Sequence, residues 1–91
     1  MSLYRVEVAR RAVKAIARLP RQDQQRIRAA IELLSHEPRP PGCTKLTGEV
    51  SVYRVRIGDY RMLYEVVDER LVVHVVHVVR VGHRRDVCRE R

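Results

Sequence analysis

Val50-Ser51-Val52-Tyr53-Arg54-Val55-Arg56-Ile57-Gly58-Asp59-Tyr60-Arg61-Met62-Leu63-Tyr64-Glu65-Val66-Val67 is a pair of alternating runs hinged on Gly58-Asp59. β-Branched and aromatic residues recurring at every second position mark half-buried strands, and a Gly-Asp pair between two such runs reads as a two-residue hairpin loop. Side chains of a strand alternate between its faces. Tyr53, Val55 and Ile57 therefore share one face, and Val52, Arg54 and Arg56 share the other. The apolar set belongs against a core, which sends Arg54 and Arg56 outward. A two-residue loop pairs Ile57 with Tyr60 and sets Arg56 across from Arg61. Like charges facing each other in a ladder are unfavourable. Three arginines on one open face point to an anion site, with a plain solvated face as the alternative.

Working outward from the hairpin, Leu71–Val81 is a third β-rich run, set off by a turn at Asp68-Glu69. It is apolar on both faces, as a strand in mid-sheet would be, and its wealth of Val favours strand over buried helix. The open face also carries Leu63, Val72, Val76 and Val78 on this reading. A two- or four-residue loop around Asp68-Glu69 adds His74 and Arg80 to it, and a three-residue loop removes them. His74 and His77 are expected on opposite sides of the strand with no third ligand nearby. They read as structural histidines, and no metal or cofactor is expected.

Upstream, Tyr4-Arg5-Val6-Glu7-Val8 alternates like a strand. Ala9, Ala12, Val13, Ile16 and Leu19 then fall at helical spacing, with Arg10, Arg11, Lys14 and Arg18 around them. Pro20 ends that helix and can open the next. Ile27, Ala30, Ile31 and Leu34 form the apolar stripe of a second helix. Pro38, Pro40, Pro41 and Gly42 break regular structure. The charged tail Gly82–Arg91 reads as a short helix or an arm. The order is β-α-α-β-β-β, an α+β fold in which a helical hairpin packs on one face of a mainly antiparallel sheet.

The chain of 91 residues is one domain's worth. With 45% hydrophobic residues, no Phe, no Trp and only four Tyr, its core is expected to be aliphatic, built on Val, Ile, Leu and Ala. No run approaches a membrane span and the N-terminus lacks a signal peptide's apolar stretch, so a cytoplasmic protein is expected, with no membrane partner. Cys43 and Cys88 fit no metal or redox spacing and read as free thiols. Nineteen basic against eleven acidic residues leave a net charge of +8. All the basic residues but Lys14 and Lys45 are Arg, whose planar fork suits bidentate phosphate contact. A field of this sign attracts nucleic acid, an anionic membrane or an acidic protein.

The spaced set Lys45-Leu46-Thr47-Gly48, then Tyr53 to Glu65, then Arg80-Val81-Gly82-His83-Arg84-Arg85-Asp86-Val87 resembles the RelE/ParE toxin superfamily, and its RelE branch most. The likeness spans nearly the whole chain. It implies the toxin of a type II toxin–antitoxin pair: a ribosome-dependent mRNA endonuclease, or mRNA interferase, that uses the message's own 2′-OH as nucleophile and needs no metal. The implied catalytic set is Arg54, Arg56, Arg61, Arg80 and His83, with Lys45, Arg84 and Arg85 binding RNA. The implied partners are an acidic RelB-like antitoxin, the ribosome and mRNA, with operator DNA bound only through the antitoxin complex. The alternatives within the resemblance are a ParE-like gyrase inhibitor and a catalytically weakened relative that only binds RNA or antitoxin.

Two departures from the family pattern bear on mechanism. RelE-like members often carry Lys where this chain has Arg54 and Arg56, and Tyr where it has Cys88. Those groups are proposed to transfer protons, and Arg does not deprotonate in proteins. The role passes to His83, Cys88, Lys45 or tyrosines near the open face. His83 leads, because imidazole titrates near neutrality.

Overall fold

A computed structural model describes residues 3–46 and 51–81. Strand β1 (Arg5–Val8) leads into helices α1 (Arg10–Ala17) and α2 (Arg21–His36). A short strand β2 (Thr44–Lys45) precedes the hairpin of β3 (Val52–Ile57) and β4 (Tyr60–Val67). A single 3-10 turn, Asp68–Arg70, then delivers β5 (Val72–Arg80). The strands lie in the order β1-β5-β4-β3-β2, with β1 parallel to β5 and the other pairs antiparallel. The expected α+β order holds, with β2 added as an edge strand too short to show a period.

The helical hairpin closes through its own side chains. Pro20 holds the junction, and Gln24 Nε2 donates to the Leu19 carbonyl at 2.9 Å, satisfying an acceptor at the end of α1. Ala12, Ile27 and Leu34 reach down from the helices onto Tyr53, Tyr60, Met62, Tyr64, Val66, Val73, Val75 and Val78 of the sheet. Val55 and Ile57 pack at the margin of this cluster, so the β3 face assigned to the core is the one that meets the helices. The three core tyrosines supply the aromatic bulk, and the rings of Tyr53 and Tyr64 stack at 5.8 Å.

Gly58-Asp59 forms the expected two-residue loop, closed by the Ile57–Tyr60 pair. Gly58 has φ +60, the left-handed conformation that the first position of a type II′ turn demands. The next connection contains four residues, 68–71, between paired Val67 and Val72. It puts His74 opposite Glu65 on the open face. The register then breaks: Tyr64 pairs with Val75 but Leu63 pairs with His77, so Val76 is an extra residue in β5. This β-bulge reverses the parity of everything after it. Val78 turns inward opposite Met62 and is buried, and Arg80 falls opposite Tyr60 on the helix side. His77 joins His74 on the open face. The expectations for Val78, Arg80 and the two histidines are corrected by this one inserted residue.

Candidate phosphate-binding site

The open face of β3 and β4 brings three of the expected residues together. Arg54 lies opposite Leu63, and Arg56 lies opposite Arg61. Thr44 of β2 is registered with Arg54 and extends this face at its edge, a neighbour that the sequence reading missed. Arg54 and Arg61 are half-buried while Arg56 is exposed. Arg56 Nε donates to the Gly58 carbonyl at 3.1 Å, which folds the guanidinium back over the hairpin loop. None of the three forms an ion pair among the described residues. The facing Arg56–Arg61 pair costs stability. Guanidinium groups held this way can bind an anion and stabilise charge on nonbridging phosphate oxygens.

Other expected members stand elsewhere. Lys45 is registered with Tyr53, on the helix-facing side of the sheet at its exposed edge. Arg80 is exposed beside Tyr60, also on that side. His83, Arg84, Arg85 and Cys88 lie outside the described residues. Among the described residues no group of His, Cys, Asp and Glu could hold a metal ion, and no helix is long and apolar enough to cross a membrane. Cys43 is a free thiol.

All four tyrosines are committed to structure. Tyr4 Oη donates to Asp68 at 2.7 Å, Tyr60 Oη to Asp23 at 3.0 Å and Tyr64 Oη to the Pro38 carbonyl at 2.9 Å, while Tyr53 Oη accepts from Arg39 Nε at 2.9 Å. Burial pushes the Tyr64 and Tyr60 hydroxyls above the usual phenol range, and Tyr60 is raised further by its bond to Asp23. Hydrogen bonding to Asp68 raises Tyr4 as well. Such phenols are poor proton acceptors for a neighbouring hydroxyl.

A second polar group sits at the opposite end of the sheet. Arg39, from the proline-rich loop, donates to Asp68 Oδ2 at 2.7 Å while its guanidinium lies over the Tyr53 ring, 5.4 Å from the centroid. Arg39 first, and Tyr4 second, hold the Asp68 carboxyl below its ordinary value. This network ties the start of β1, the loop before β2, strand β3 and the β4–β5 turn.

The chain matches the family model described as ParE toxin of type II toxin–antitoxin system, parDE, over residues 6–87. It belongs to this toxin family. It is 34% identical over 74 residues to the candidate toxin RelE1 of Methanocaldococcus jannaschii, a match covering 77% of this chain and 82% of that protein. It also resembles a chain of the archaeal RelE–RelB complex from Pyrococcus horikoshii OT3, with a TM-score of 0.78, 30% identity, and coverage of 89% of this chain and 98% of the other. A chain of the intact E. coli RelBE toxin–antitoxin complex matches at a TM-score of 0.74 and 26% identity, over 88% of this toxin and 99% of that chain. The protein is thus a RelE-like toxin of a type II toxin–antitoxin system, as the resemblance implied.

Proposed function

We propose that the toxin cleaves mRNA in the ribosome by metal-independent attack of a 2′-OH on the adjacent phosphate. The observation that carries this reading is the convergence of Arg54, Arg56 and Arg61 on one open sheet face, with no ion pair to an acid among the described residues. In the attack a 2′-O–P bond forms and the P–O5′ bond breaks. Charge accumulates on nonbridging oxygens within reach of guanidinium donors. A gyrase inhibitor has no need of such a phosphate-transfer site.

Helix α1 supports docking on a polyanion. At 3.6 residues per turn, Arg10, Lys14, Arg18 and Arg11 fall within a sector of about 100°. All four are exposed, and none is paired with an acid among the described residues. Like charges spaced i, i+4 destabilise a helix, so this stripe works against the fold and for a partner such as ribosomal RNA.

Two of the solved relatives come from complexes with RelB, and the partner we infer here is an acidic antitoxin of that kind. An apolar groove of about 630 Å³ runs beside β1 under the helical hairpin, lined by Val6, Val8, Val13, Ile16 and Ile31 among others. Among the described residues the outer edge of β1 pairs with no strand. A segment that adds to this edge and buries apolar side chains in the groove would hold the toxin without covering its arginines. It would then inhibit by blocking entry to the ribosome. Operator DNA is reached only through that complex.

The deciding experiment is primer extension on mRNA incubated with the purified toxin, with and without ribosomes. Cuts that require ribosomes support the reading. Loss of DNA supercoiling by gyrase with no RNA cuts would replace it with gyrase inhibition, and neither effect would leave a binding relative.

A further inference from the structure

The bulge at Val76 carries a consequence for the phosphate site. Without it, His77 would point at the helices. With it, the imidazole emerges on the arginine face, directly opposite Leu63, whose other neighbour is Arg54. Arg61 is opposite Val79, so His77 and Arg61 are diagonal neighbours across a regular stretch of ladder. Diagonal positions lie roughly 7–8 Å apart, within the span of an Arg and a His side chain. Bulges recur beside active sites because they re-aim a side chain.

The state of the ring follows from its surroundings. His77 Nδ1 is closed off from solvent and has no hydrogen-bond partner among the described residues. The ring as a whole is only half-buried, so Nε2 is the nitrogen that remains accessible. A buried N–H with no acceptor is more costly than a bare ring nitrogen. The tautomer this favours keeps a lone pair on Nδ1 and the proton on Nε2. Two carboxylates are registered on this face, Glu65 of β4 and Glu7 of β1, and both stand opposite His74.

We propose that His77 is a fourth phosphate-contacting group of this toxin, a neutral imidazole whose Nε2–H donates to a nonbridging oxygen beside the Arg61 guanidinium. This rests on the RNA-cleavage reading and adds to it a residue that the family pattern did not supply. A neutral imidazole can serve as a hydrogen-bond donor in catalysis without exchanging its proton. The 2′-OH proton passes to water or to a group outside the described residues, and the departing 5′-oxygen takes a proton from water. His77 holds its own proton throughout.

Two measurements test the assignment. In the first, ribosome-dependent cleavage is followed for His77→Ala and His77→Gln across pH. Removing one preorganised donor slows the chemical step by about 10²-fold. His77→Ala should fall on that order, while His77→Gln, whose amide N–H replaces Nε2–H, should stay within a few-fold of wild type with an unchanged pH profile. Equal loss in both variants with a vanished acidic limb would make His77 a base and overturn the donor role. A wild-type rate in His77→Ala would remove it from the site. In the second, ¹⁵N NMR of histidine-labelled toxin reads the tautomer with and without a short RNA bearing deoxyribose at the attacking position. The expected spectrum has a bare Nδ1 in the free protein and an Nε2–H proton that moves downfield on adding the RNA. A protonated Nδ1, or an Nε2–H indifferent to the RNA, contradicts the proposal even if the wild-type toxin cuts nothing. If cleavage is absent but the shift occurs, the cleavage reading fails and the contact stands.

Discussion

The two ends of the sheet use arginine in opposite ways. At the end where β4 turns into β5, Arg39 spends its donors on Asp68 and Tyr53, and Asp68 takes a further bond from Tyr4. At the hairpin end, Arg56 faces Arg61, and neither finds an acid among the described residues. The same side chain is a structural tie in one place and an unneutralised charge in the other. Charges satisfied within the fold stabilise it. Charges left facing each other lower stability, and on the proposed function they serve an incoming phosphate.

The difference predicts contrasting responses to substitution. Arg56→Glu should give the largest effect. It places a carboxylate opposite Arg61 and turns a repulsive pair into an attractive one. Cleavage should fall by about 10²–10³ or more, while thermal unfolding shows a Tm equal to or above wild type, since favourable cross-strand pairs contribute about 0.2–1 kcal/mol. A Tm well below wild type would mean that Arg56 is structural after all.

Arg39→Gln should do the reverse. Its side chain is 39% exposed, so the loss of its charged bonds is discounted for solvent to about 1 kcal/mol. For a domain this small that lowers Tm by roughly 4–8 °C. The cleavage rate per folded molecule should be unchanged, which single-turnover assays normalised to folded fraction will show.

The clamp also sets a pH dependence. Arg39 and Tyr4 hold the Asp68 carboxyl below its ordinary value. Its contribution is therefore complete above the unfolded carboxylate pKa and is lost as pH falls through the lower folded value. Tyr4 is shifted upward, so its contribution is present below the unfolded phenol pKa and is lost as pH rises through the folded one. Asp68→Asn should lower Tm at neutral pH and flatten its decline between about pH 4 and pH 2. An acid limb identical to wild type would assign acid sensitivity to other carboxylates.

The smallest effect belongs to the β4–β5 turn. Leu71 is the non-glycine residue with positive φ among those described, at +54, and its side chain is largely exposed. Leu71→Gly relieves about 1 kcal/mol of left-handed strain and gives part of it back through the freer unfolded chain. A Tm rise of a few degrees or less is expected, with cleavage untouched. A fall would show that Leu71 packs more than it strains.

These contrasts follow how legible each region was in the sequence. The hairpin announced its register, because Gly58-Asp59 fixes a two-residue loop and the residues on either side alternate cleanly. Arg54, Arg56 and Arg61 could be placed on one face from parity alone. The valine run of β5 could not be read to the same depth. With Val at nearly every position, either parity looks acceptable, and nothing marks where an extra residue enters. The bulge at Val76 thus hid the company His77 keeps and gave Arg80 the wrong face. Lys45 sits in a two-residue strand with no period, and only its pairing with Tyr53 shows which way it points. The clamp was invisible for another reason: Arg39 and Asp68 are 29 residues apart, and pairing requires the finished sheet.

Arg61→Ala is the sharpest probe of the open face, because it removes a charge there without creating a new partner. Its single-turnover cleavage rate on saturating programmed ribosomes should be set beside its Tm. A rate about 10²–10³ below wild type at an unchanged or slightly raised Tm is expected. A wild-type rate, or a loss explained entirely by unfolding, would contradict the assignment of this face as the phosphate site.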